Sequence, residues 1–157
     1  MIRKAKKIVQ ELIKTHNTKD PEIICKKLGV VLLYRDLGKI KGLFRKENGT
    51  NFIVINEKYS KFLQKLILLH EIGHMVLKHN RIKEEQIMSM KDFTNFKNRQ
   101  EREANAFVIE FLCTNLQDVL KDICNFQDRK IFKRLLAFRR REIDKKSIRK
   151  LMGENKL

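Results

Sequence analysis

The sequence predicts an α+β fold, and three observations support that prediction. Apolar residues recur at helical spacing within the first 13 residues. Three short stretches rich in β-branched and aromatic residues then indicate strands, at 30–34, 41–45 and 52–56. Finally, apolar residues between Phe62 and Leu77 cover nearly every side of a helix, which is typical of a buried, central element.

Local signals mark where these elements begin and turn. Asp20 followed by Pro21 is an N-cap with proline in the first turn, so a short second helix is expected there. Asn48-Gly49 separates the second and third strands and favours a tight hairpin turn. Ser60 is suited to cap the central helix.

The second half of the chain is predicted to be mainly helical. The polar stretch at 80–97 is interpreted as a loop, and a helix is expected over 98–113. Asn115 can cap the next helix, and the rest is helical and basic. We therefore divide the chain into a main domain at 1–114 and a basic helical extension at 115–157, packed on the same domain.

Composition limits the class of protein. The 157 residues include 36 Lys and Arg against 19 Asp and Glu, a formal charge of +17, and 42% are hydrophobic, enough for a real core. No apolar run is long enough to span a membrane, and the basic N-terminus lacks the apolar segment of a signal peptide. Cys25, Cys113 and Cys124 show no paired spacing, which favours free thiols in a reducing, cytoplasmic setting.

The central helix carries the sequence His70-Glu71-Ile72-Gly73-His74, which is an H-E-x-x-H motif. Residues four apart lie on one face of a helix, so both imidazoles can reach a single metal ion. Glu71 lies about 100° further round and is left free to act on a water molecule as a general base. Two alternatives are a set of ordinary surface polar groups and a structural zinc site. The apolar surroundings disfavour the first, and the lack of a nearby cysteine disfavours the second.

A catalytic zinc site needs a third protein ligand, and the helix predicted over 98–113 offers two carboxylates. Glu101 lies roughly 50° from the centre of the apolar face of that helix, whereas Glu103 lies roughly 110° away. We predict that Glu101 is the ligand, with Glu103 as the alternative. Asn105 lies one turn beyond Glu101 and is suited to orient a ligating histidine.

Two runs of the sequence resemble a known protein family. They are H-E-I-G-H at 70–74 and E-x-x-A-N-x-F at 101–107. With the helix-and-sheet region before them, they are similar to the ImmA/IrrE family of metallopeptidases over about residues 5–114. The resemblance implies a small gluzincin-like (zincin-like) fold, with a three-stranded antiparallel sheet packed on the H-E-x-x-H helix and followed here by a helical C-terminal part.

The resemblance also implies a function. Members of this family are zinc peptidases that cleave a helix-turn-helix repressor, often one encoded by a prophage or mobile element. By this resemblance His70, His74 and Glu101 would bind one zinc ion per chain, and Glu71 would be the catalytic base. The alternative is a DNA-associated transcriptional or stress regulator that retains the zinc site without catalysis.

Two further features of the site stay open at this point. The donor that would stabilise the oxyanion stays unassigned. His79 lies about 140° round the helix from His74, and Tyr59 and Tyr34 lie near strand ends, where a tyrosine more often serves packing. A protein substrate could add as an extended strand beside 41–45 or 52–56 and pass across the metal.

The chain ends in a strongly basic segment. Residues 129–150 contain eleven Lys and Arg and two acids, with apolar residues at helical spacing between them. Such a helix packs one face and exposes the other. The exposed charge is either a solvated surface, a docking surface for an acidic part of the protein substrate, or a contact with nucleic-acid phosphates.

Overall fold

A computed structural model describes residues 1–78, 85–88 and 98–151, with the backbone alone described at 85–88 and 146–151. The described elements, in chain order, are α1 (Ile2–His16), α2 (Pro21–Lys27), β1 (Val31–Arg35), β2 (Gly42–Glu47), β3 (Thr50–Asn56), α3 (Lys61–Val76), β4 (Glu85–Met88), α4 (Arg99–Cys113), α5 (Leu116–Asp122) and α6 (Phe126–Leu151). The predicted α+β class is confirmed.

The strands form one sheet in the order β1-β3-β2-β4. β2 and β3 are antiparallel and pair from Glu47 opposite Thr50. The turn between them is Asn48-Gly49, with φ angles of 49° and 78°, as a two-residue hairpin turn requires. β1 pairs with the other side of β3 in parallel, with Val31 opposite Phe52.

The expectation of a three-stranded antiparallel sheet was therefore wrong in two respects. The sheet is mixed, because β1 runs parallel to β3 rather than pairing with its neighbour in the chain. It also has a fourth strand, β4, inside the stretch 80–97 that was interpreted as a loop. β4 pairs antiparallel with β2. An alternating apolar pattern specifies which face of a strand is buried but not which strand lies beside it.

The same topology corrects the expected substrate edge. The stretches 41–45 and 52–56 fall in β2 and β3, and both of these strands have a neighbour on each side. Neither can accept an added strand through its backbone. The outer strands of the described sheet are β1 and β4.

α3 is the central element of the core. Its side chains are buried almost continuously from Phe62 to His74, as the apolar pattern predicts. Ser60 caps the helix, since its hydroxyl oxygen accepts a hydrogen bond from the Leu63 amide at 3.2 Å. The same hydroxyl donates to buried Asp128 at 2.7 Å, which joins the start of α3 to the start of α6.

α4 lies between α3 on one side and α1 and α6 on the other. α6 belongs to the packed structure, because its Phe132 ring meets that of Phe62 edge-on at 6.0 Å. Further along α6, Phe138 packs with Ala5 of α1 and Ala106 of α4. No helix in the described part of the chain is both long enough and apolar enough to cross a bilayer.

Candidate metal centre

The three motif side chains of α3 are buried in the protein. His70, Glu71 and His74 are 1%, 1% and 2% exposed. Burial of two imidazoles and a carboxylate is costly unless each has a polar or metal partner. Their position in the apolar core therefore calls for such a partner close to each of them.

A fourth polar side chain, Glu101 of α4, lies close to the two histidines. Asn98 caps this helix by accepting hydrogen bonds from the amides of Gln100 and Glu101, at 2.8 and 3.3 Å. The cap fixes the first turn of α4, where Glu101 lies. The Glu101 carboxylate reaches His70 Nε2 at 2.9 Å and His74 Nε2 at 3.3 Å.

The donor set fits a divalent metal ion. The two Nε2 atoms are 3.0 Å apart, and ligand atoms of His70, His74 and Glu101 all lie within 4.8 Å of one another. At bond lengths typical of zinc, tetrahedral donors around one ion are about 3.3 Å apart. The observed spacing therefore lets one ion contact all three residues with small adjustments, and two imidazoles with one carboxylate suit zinc.

The protonation state of Glu101 also suits a ligand. Burial alone would raise the pKa of this carboxyl, but hydrogen bonds and charge interactions with His70 and His74 outweigh it and hold the pKa well below its usual range. The group is therefore ionised at neutral pH, which is the form that binds a metal.

The approach of α4 to α3 depends on a glycine inside the motif. A Cβ atom placed on Gly73 would lie 3.0 Å from Cδ1 of Phe107 and 3.3 Å from its Cβ. Phe107 is fully buried, so its ring would have to shift within a close-packed core to make room. The missing side chain at position 73 therefore allows the two helices to come close enough for Glu101 to meet the histidines.

Sequence reasoning missed Gly73 as a functional position, although one signal was available. It is the one residue without a side chain in an otherwise bulky helix, and interior glycine weakens a helix by about 1 kcal/mol relative to alanine. A glycine kept there despite that cost is a sign of close packing.

The other predicted residues take different positions. Asn105 is fully buried one turn after Glu101, consistent with the predicted orienting role, which stays a prediction. Glu103 lies outside the cluster of three and pairs with Arg99 at 3.0 Å. Tyr59 precedes α3, about 14 Å of helix from His70, and its ring lies 4.4 Å from the Lys41 ammonium. His79 lies outside the described residues.

Two ion pairs behind the site were also missed. Glu110 of α4 is 3% exposed and accepts a hydrogen bond from Arg139 of α6 at 2.5 Å. Arg102, next to Glu101 in the chain, donates to Glu142 of α6 at 2.8 Å. These pairs tie the helix that carries Glu101 to α6. Helical periodicity places such residues at the edge of a packed face but does not identify partners from distant parts of the chain.

A separate cavity of about 610 Å³ lies at the opposite end of α3 from the motif. Its lining includes Lys61, Gln64 and Leu68 of α3 but none of the three clustered residues. The metal centre is thus a feature of the α3–α4 contact rather than of this cavity.

Comparison with known proteins assigns the chain to a family. The family model described as the IrrE N-terminal-like domain, Peptidase M78, matches residues 25–116. The chain belongs to this family. Over 125 residues, this member is 29% identical to "Metallopeptidase ImmA" of Bacillus subtilis (strain 168), a match that covers 78% of this chain and 72% of that protein. The predicted resemblance to ImmA/IrrE metallopeptidases is confirmed, and membership of a metallopeptidase family implies a bound metal and a protein substrate.

Proposed function

We propose that this protein is a zinc-dependent endopeptidase that cleaves a helix-turn-helix repressor, encoded by a prophage or mobile element, and so acts as an anti-repressor. The observation that supports the peptidase most directly is the convergence of His70, His74 and Glu101 in a buried cluster within the matched family region. The repressor as substrate follows from the sequence resemblance to ImmA/IrrE proteins.

In this proposal His70, His74 and Glu101 hold the metal through three protein atoms, which leaves a coordination position for water or substrate. A zinc ion there would supply Lewis acidity toward water and toward the scissile carbonyl. Asn105, fully buried on the same side of α4 as Glu101, orients one of the ligating histidines.

Glu71 moves the proton. It follows His70 directly, about 100° further round the helix, and is 1% exposed. Its carboxylate accepts a proton from the attacking water and delivers it to the amine that leaves. Because the residue is buried beside the cluster, bulk water does not compete for that proton.

The test is cleavage of the repressor encoded nearest to this gene, followed by mass spectrometry of the products. The zinc-loaded protein should cut it, a chelator should stop cleavage, and added zinc should restore it. Glu71→Gln should bind zinc normally and cut roughly 100-fold to 10,000-fold more slowly. Glu57→Gln, at an exposed position before α3, is the matched control and should cut at the normal rate.

The outcomes separate the two candidate functions. Full cleavage by Glu71→Gln would remove this residue from the mechanism. Stable zinc binding with no cleavage by the unaltered protein would favour the alternative, a DNA-associated regulator that keeps the metal site without catalysis. Cleavage of other proteins but not the repressor would keep the peptidase and reject the substrate.

A further inference from the structure

The outward side of α6 carries a concentration of positive charge that the peptidase proposal does not use. We define the basic face as the exposed residues Arg129, Lys130, Lys133, Arg134, Arg140, Arg141 and Lys145. At 100° and 1.5 Å per residue, they occupy an arc of about 160° and a length of about 24 Å. The apolar residues of α6 that enter the core lie on the opposite side of the helix.

The carboxylates of α6 itself offset little of the charge on the basic face. Asp144 is the one carboxylate of α6 that lies within the same arc. Asp128 is buried against Ser60, and Glu142 is bound to Arg102, with Lys145 also near it at 3.4 Å.

Most residues of the basic face form no ion pair with the described part of the chain. Within the described residues, five of its members form no ion pair, namely Arg129, Lys130, Lys133, Arg134 and Arg140. Concentrated like charges repel one another and favour binding of a counter-charged partner.

The basic face lies on a helix that is tied to the rest of the protein. Arg139–Glu110 and Arg102–Glu142 fix α6 to α4, so the charges keep their spacing before any partner binds. α1 contacts α6 where Ala5 meets Phe138. The first two turns of α1 also carry exposed cations, Arg3, Lys4, Lys6 and Lys7.

An exposed aromatic ring lies at one end of the basic face. Phe126, the first residue of α6, is 75% exposed, more than any other large hydrophobic residue described. By helical angle it falls in the middle of the basic arc. Cations that track a phosphate backbone, combined with a ring on which a base can stack, are the elements that bind unpaired nucleic acid.

We propose that the basic face binds the phosphate backbone of nucleic acid without sequence preference, and that Phe126 stacks on an unpaired base and favours single strands over duplexes. Four of the seven cations are arginines, whose planar groups bind phosphate oxygens in pairs. A protein partner is less well matched, because three of the seven cations are lysines, which are depleted in protein interfaces. The proposal is independent of catalysis.

The test measures anisotropy of labelled single-stranded DNA, single-stranded RNA and duplex DNA of about 20 nucleotides, mixed with the full chain over about 50 to 200 mM salt. The triple variant Arg129→Gln/Lys133→Gln/Arg140→Gln removes three charges from the face. We expect at least about tenfold weaker binding and a salt slope smaller by about 2.

The matched control removes the same charge elsewhere. Lys26→Gln/Lys39→Gln/Lys46→Gln alters three exposed cations of α2, β2 and the loop before β2. It should change affinity less than about twofold, since screening weakens charges beyond roughly 10 Å. Equal losses in both triple variants would overturn the assignment to α6.

Two comparisons test the partner. Phe126→Ala should weaken single-strand binding about 5-fold to 100-fold, with the salt slope and duplex affinity unchanged. Equal loss on duplexes would reject the stacking role. If polyglutamate displaced the nucleic acid as well as an equal charge of unlabelled DNA, the face would instead suit an acidic protein, and the proposal would be wrong. The DNA and RNA arms show which nucleic acid is preferred.

Discussion

α3 and α6 are the two longest helices described, and they place their charges in opposite ways. α3 has 16 residues, and its His70, Glu71 and His74 are buried in the core. α6 has 26 residues, and most of its described charged groups point to solvent. A buried polar group needs a specific partner at a fixed distance, whereas an exposed cation acts through a field that salt weakens. Single substitutions should therefore be severe in α3 and mild on the outside of α6.

The largest effect should come from the carboxylate that completes the buried cluster. Glu101→Gln removes the charge that faces His70 and His74. We expect zinc affinity to fall by more than about 100-fold, since this exceeds the 10–100-fold typical of groups behind the ligands. Competition titration with a zinc chelator measures it. Glu103→Gln tests the alternative ligand and should leave affinity within about threefold; the reverse order would show that Glu103 is the ligand.

An intermediate effect should come from the contact between Arg139 of α6 and buried Glu110 of α4. Arg139→Met leaves Glu110 buried without its partner. Breaking such pairs costs about 3–5 kcal/mol when they are fully buried, and the Arg139 side chain is 32% exposed, so we expect roughly 2 kcal/mol. Urea unfolding measures this loss in the free energy of unfolding. Arg140→Met, the next residue on the basic face, should change stability by less than about 0.5 kcal/mol. Comparable losses of stability in the two variants would show that the buried and exposed sides of α6 do not differ in this respect.

The smallest effect should appear as a pH dependence. Burial alone would raise the pKa of Glu142, but Arg102 and Lys145 outweigh it and hold the pKa below its usual value. A carboxylate with a lowered folded pKa stabilises the protein above its unfolded pKa, about 4.3, and loses this as the pH falls through the folded pKa. The difference in unfolding free energy between the unaltered protein and Glu142→Gln should be largest near pH 6 and small near pH 3. A constant difference would assign the effect to packing.

Much of the fold follows from local signals in the sequence. Asp20 accepts hydrogen bonds from the amides of Glu22 and Ile23, as an N-cap before Pro21 should. The helix predicted over 98–113 forms at Arg99–Cys113. These features depend on neighbours in the chain, which the sequence displays directly.

The features that could not be predicted depend on distant residues. β1 pairs in parallel with β3, so β2 lies on the far side of β3 from β1, and the side-chain pattern of the strands does not specify this order. β4 is a short outer strand in a charged stretch, held to β2 by backbone pairing, so it has little apolar pattern to detect.

The candidate site also has features that the sequence predicts and features that depend on distant residues. The spacing of His70 and His74 is a property of one helix and is visible in the sequence. The preference for Glu101 over Glu103 required only an estimate of which face of α4 is apolar, and the structure brings Glu101 to the histidines. The sequence does not predict that α3 and α4 are in contact or how closely they approach, because this depends on the packing of Gly73 against Phe107.

The contact between Gly73 of α3 and Phe107 of α4 also bears on how the metal ligands are held. His74 and Glu101 are 27 positions apart in the sequence, yet they meet close to the point where Gly73 packs against Phe107. The Gly73–Phe107 contact therefore acts on the ligand geometry from a point that no ligand occupies. Adding a methyl group at position 73 would crowd Phe107 and so act on the distance between Glu101 and the histidines, although every ligand stays in the sequence.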